Sequence, residues 1–146
     1  MKSLFVLACL AASALAQGCA IGAPAEFSTV TPGSNITVEV DRPDTLTGSQ
    51  EIAIVIGLAT CVGRVDNECA TFNVSEVLGQ ILYSGPYDPQ FHFDEPSKPP
   101  YQNFTVQVPT SLPNGQASLS VSHFSLIGAG PFPFLEVLNT TLIVES

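Results

Sequence analysis

Apolar and polar residues alternate with a period of two along most of this chain, the spacing of a strand with one face buried. Ile36, Val38 and Val40 alternate with Asn35, Thr37 and Glu39, just after the turn signal Pro32-Gly33-Ser34. Ile52, Ile54 and Ile56 are separated only by Ala53 and Val55, which suits a strand buried on both faces. Phe104, Val106 and Val108 alternate and stop at Pro109, and Leu119 and Val121 follow the turn Pro113-Asn114-Gly115. Long strand-like character runs over residues 135–144, and a shorter run covers 80–83. Val74, Val77, Leu78 and Ile81 have helical spacing, but Gly79 among them limits this to one turn near 75–78. Six to eight short strands between Gly and Pro turns predict an all-β fold, an immunoglobulin-like antiparallel β-sandwich of about seven strands. The buried Trp of antibody domains is ruled out, because the chain has no Trp.

The start of the chain departs from this pattern. Lys2 precedes an apolar run over residues 4–10, and Ala14-Leu15-Ala16 is the small-x-small pattern that a signal peptidase reads. Residues 1–16 are therefore expected to be a secretory signal peptide, and 17–146 a single domain. The apolar run is too short to span about 30 Å of hydrocarbon. Export permits disulfides, and Cys61 and Cys69 flank a polar segment short enough to close a small loop, worth roughly 2–3 kcal/mol. Cys19 is left over, to pair with either of these or to stay free.

Charge raises a different question. The chain of 146 residues is 12% charged with a formal net charge of −9, whereas soluble domains average about 25% charged residues. Four Lys plus Arg cannot form the basic face that nucleic acid requires. The surface is kept wet by other means: Asn35, Asn73, Asn103 and Asn139 each begin an N-x-Ser/Thr sequon. In an exported chain these are expected N-glycosylation sites, on a eukaryotic protein.

Catalytic chemistry is sparse. Only His92 and His123 are available as a general base, and no G-x-S-x-G elbow is present. His123 falls inside a strand pattern beside Phe124, where a hydrogen-bonded structural role is expected. His92 and Asp94 share a strand face, which alone does not make a metal site. Asp41, Asp44, Asp88, Asp94 and Glu95 give no paired carboxylates for glycoside hydrolysis. Three cysteines without a neighbouring His are not the usual zinc set. No catalytic residue, cofactor or metal ligand is assigned, and a non-enzyme is expected. The segment Gly128-Ala129-Gly130-Pro131-Phe132-Pro133-Phe134 and the long connection over 84–102, with Tyr87, Phe91, Phe93 and Tyr101, offer rigid aromatic positions instead. Phe132, Phe134, Tyr87 and Phe91 are the candidate partner contacts.

Residues 35–58, 79–92, 102–109 and 115–139 together resemble the necrosis-inducing secreted protein family of fungal effectors, a similarity that extends over about 25–145. The resemblance implies a small secreted, extracellular fungal protein acting in plants, with entry into the host cell left open. It implies suppression of pattern-triggered immunity by engaging receptor-associated kinases, some members also provoking cell death; a monomer without a membrane anchor is expected. It carries no catalytic residues onto this chain. The rival expectation is a non-catalytic cell-wall or carbohydrate-binding module using the rings between Tyr83 and Tyr101.

Overall fold

The computed structural model describes residues 18–45 and 47–146. The expected signal peptide lies outside the described residues. Eight strands form: β1 (Ala20–Ala23), β2 (Thr29–Val30), β3 (Asn35–Asp41), β4 (Ser49–Thr60), β5 (Gln80–Gly85), β6 (Tyr101–Gln107), β7 (Gly115–Ile127) and β8 (Phe132–Val144). They make one sheet in the order β1-β3-β6 and a second in the order β2-β8-β7-β4-β5, the latter curled as a half-barrel. The fold is all-β as expected, with two corrections. The described residues form eight strands where about seven were expected, and β2 runs parallel to β8 while the other pairings are antiparallel. The expected turn of helix near 75–78 is an irregular turn, and among the described residues the one 3-10 turn is Val65–Asn67. Gly79 explains this: its φ of +76° breaks helical geometry, and a Cβ there would lie 2.3 Å from the Leu58 carbonyl oxygen.

One apolar core joins the sheets. Val38 and Val40 of β3 and Phe104 and Val106 of β6 meet Ile54, Ile56, Leu58, Leu119, Val121, Leu142 and Val144 of the larger sheet. The inward residues of β7 are Ala117, Leu119, Val121, His123 and Ser125, all buried. Across from them on β8 stand Leu142, Thr140, Leu138, Glu136 and Phe134. Pro133 fits β8 because β2 covers only Ile143 and Val144, leaving the opposite end of β8 an edge that proline tolerates. The expected Cys61–Cys69 disulfide is formed, with an S–S distance of 2.08 Å and Cα atoms 5.3 Å apart.

Candidate functional site

Polar side chains interrupt the apolar row at one end of the core. His123 and Glu136 are directly paired across β7 and β8, so both point inward, and His123 is only 1% exposed. β4 contributes a third group by a local irregularity. The register with β7 shifts between Glu51 and Ala53, so that Glu51 pairs with Ser125 while Ile54 pairs with His123. This bulge puts Glu51 on the same inward face as Ile54, where strict alternation would have placed Ile52. The fourth group arrives from the other sheet: Cys19, immediately before β1, is free and 9% exposed. Gly18 allows that approach, since a Cβ there would sit 2.6 Å from a Glu136 oxygen.

Hydrogen bonds bind these groups into one cluster. His123 Nδ1 meets Glu136 Oε1 at 3.0 Å, and its Nε2 bonds Glu51. Glu136 Oε1 also accepts from the Cys19 backbone N–H at 2.5 Å. Glu51 accepts from Arg42 Nε at 2.8 Å and from the Ser49 hydroxyl, which in turn accepts from Arg42. Tyr87 seals one side, its ring edge-on to His123 with centroids 5.5 Å apart and its hydroxyl donating to the Val40 carbonyl.

The electrostatics follow from this wiring. Burial alone would lower the His123 pKa, but its bonds to Cys19, Glu136 and Glu51 outweigh that and hold it up at about 11. Burial alone would raise Glu51, yet the bonds from His123, Ser49 and Arg42 hold it down at about 2. For the Cys19 thiol burial wins over the neighbouring His123, and its pKa rises. Within the cluster, then, Arg42 and His123 face Glu51 and Glu136. Cys19 Sγ, a His123 nitrogen and a Glu136 oxygen lie within 4.8 Å of one another. Cys19 also lines a groove of about 540 Å³, with Ile21, Pro24, Ala25, Leu138 and Asn139.

The residues expected to meet a partner are not gathered in one place. Tyr87 is 2% exposed, which removes it from the set: it belongs to the core and to the polar cluster. Phe91 is 62% exposed, and neighbouring Phe93 is 98% exposed. Phe132 is 62% exposed, while Phe134 is half-buried, because both lie on β8 rather than in the preceding loop. They extend the inward row of Glu136 beyond His123. Tyr101 is buried, and His92 stacks on it with ring centroids 3.9 Å apart, away from any ligand cluster. All four sequon residues, Asn35, Asn73, Asn103 and Asn139, are exposed.

Sequence reasoning assigned no zinc set because no His stands near a Cys along the chain; folding supplies one across 104 positions, from Cys19 to His123. The available signal was phase: His123 shares the inward register of Leu119 and Val121, and Glu136 that of Leu138 and Leu142. A charged residue in the apolar phase of two adjacent strands marks a buried polar site.

Over residues 14–143 the chain matches the Nis1 family, a family of fungal effectors, and it belongs to that family. No curated protein matches it in sequence. Among solved structures, a superoxide reductase (neelaredoxin) from Ignicoccus hospitalis is similar at a TM-score of 0.47 and 15% identity, over 87% of this chain and 80% of that one. A cellulose-active polysaccharide monooxygenase from M. thermophila is similar at a TM-score of 0.45 and 15% identity, over 84% of this chain and 55% of that one.

Proposed function

We propose that this chain is a secreted fungal effector that acts by binding, suppressing plant pattern-triggered immunity through receptor-associated kinases and, in some hosts, provoking cell death. Family membership across residues 14–143 carries this reading. We read the two sheets as the layers of an immunoglobulin-like sandwich, a rigid frame for contact residues at its ends. Phe91, Phe93 and Phe132 are among the large exposed rings, with Phe27, and suit such contacts. The Cys61–Cys69 bridge accords with export to an oxidising compartment. Among the described residues no helix is long and apolar enough to cross a membrane.

The test is a pull-down of the mature protein with the cytoplasmic domains of plant receptor-associated kinases, followed by a kinase assay. Binding with reduced phosphotransfer is expected. Absence of both overturns the kinase reading. Sedimentation with insoluble wall polysaccharide would instead favour the carbohydrate-binding alternative. That alternative has lost Tyr87 and Tyr101 as stacking platforms, because both rings are buried.

A further inference from the structure

We propose that Cys19, His123 and Glu136 form a binding site for a divalent transition-metal ion, Zn²⁺ foremost, with Glu51 as the outer carboxylate that orients the imidazole. Thiolate, imidazole and carboxylate are the ligand types that Zn²⁺ takes in proteins. Their ligand atoms already lie within 4.8 Å of one another. Around a tetrahedral ion with bonds of about 2.0–2.3 Å they would be about 3–4 Å apart, so a contraction of about 1 Å suffices.

The surroundings point the same way. A metal-bound His almost always gives its second ring N–H to a carboxylate, a backbone carbonyl or water, and here His123 Nε2 engages Glu51, itself fixed by Arg42 and Ser49. That leaves Nδ1 as the nitrogen on the Glu136 side. The Cys19 thiol reaches the same point, with its backbone N–H held on Glu136 Oε1. Ser125, fully buried and on the same face of β7, has a hydroxyl without a hydrogen-bond partner among the described residues. Three protein ligands leave a fourth position for water or a small anion, and of the three only Cys19 borders the groove. This site is independent of the exposed rings assigned to partner contact.

Chelator-stripped mature protein, secreted from a eukaryotic host, should be titrated with Zn²⁺ by calorimetry and with Co²⁺ by absorption. One ion per chain is expected, with thiolate-to-Co²⁺ charge-transfer absorption. Cys61 and Cys69 are bridged, so this absorption reports on Cys19. Cys19→Ser should abolish it and weaken Zn²⁺ by about tenfold or more, and Glu51→Gln should weaken Zn²⁺ by about 10–100-fold. Failure of the wild type to bind Zn²⁺ at micromolar concentration overturns the proposal. So does equal affinity in Cys19→Ser, which would place the ion on surface acids. If Cys19→Ser does not fold, the wild-type Co²⁺ spectrum decides alone: thiolate absorption supports the site and its absence overturns it.

Discussion

Glu51 shows how a single residue can depend on a local break in regularity. A one-residue bulge turns it inward, where it joins Arg42, Ser49 and His123. Replacing it leaves a buried imidazolium and a guanidinium without their shared partner. Glu51→Ala is therefore expected to cost about 3–5 kcal/mol in chemical denaturation of the metal-free protein. A loss under about 1 kcal/mol would show that the cluster contributes little to the fold. None of this was visible in the order of residues, because Ile52, Ile54 and Ile56 suggest uninterrupted alternation that puts Glu51 outside. His123 was legible as a hydrogen-bonded structural residue from its place inside a strand pattern beside Phe124. Its partners were not, since Cys19 and Glu51 come from distant parts of the chain.

Strands were legible where alternation ran for five residues or more, as in β3, β6 and the ends of β7 and β8. β1 and β2 were not, because Ala20-Ile21-Gly22-Ala23 lacks a polar-apolar contrast and Thr29–Val30 is only two residues long. Between β5 and β6, the connection is anchored in the core by Tyr87, and its later part is tied down by polar contacts. Tyr101 donates to Glu95, and Lys98 reaches both Glu95 and Glu39. The bonds from Tyr101 and Lys98 lower the Glu95 pKa. A carboxyl depressed in the folded state stabilises above its unfolded pKa of about 4.3 and ceases to as pH falls through its folded value. Amide exchange over 90–98, corrected for intrinsic rate, is expected to be faster at pH 3 than at pH 6, and equal protection at both would contradict this. Elsewhere, Cys61→Ser with Cys69→Ser should lower stability by about 2–3 kcal/mol, read from denaturation midpoints. Phe91→Ser with Phe93→Ser should change it by no more than about 0.5 kcal/mol, whereas the half-buried Phe134→Ser should cost more.

At the scale of the whole molecule, few charges and a net −9 coexist with four exposed sequon asparagines, on a frame stapled by the Cys61–Cys69 disulfide. Asn35 and Asn103 stand on β3 and β6, and the registers Thr37↔Thr105 and Glu39↔Asn103 align both sequons on the outer face of the smaller sheet. Glycans there would cover that face and leave exposed rings such as Phe91, Phe93 and Phe132 as bare apolar surface elsewhere. The most direct measurement is the elicitor-triggered oxidative burst in plant tissue expressing the mature protein, with the folded Phe91→Ser, Phe93→Ser, Phe132→Ser triple variant beside it. The wild type is expected to lower the burst and the variant to restore it. An undiminished burst with the wild type would contradict the proposed role as an immune-suppressing effector.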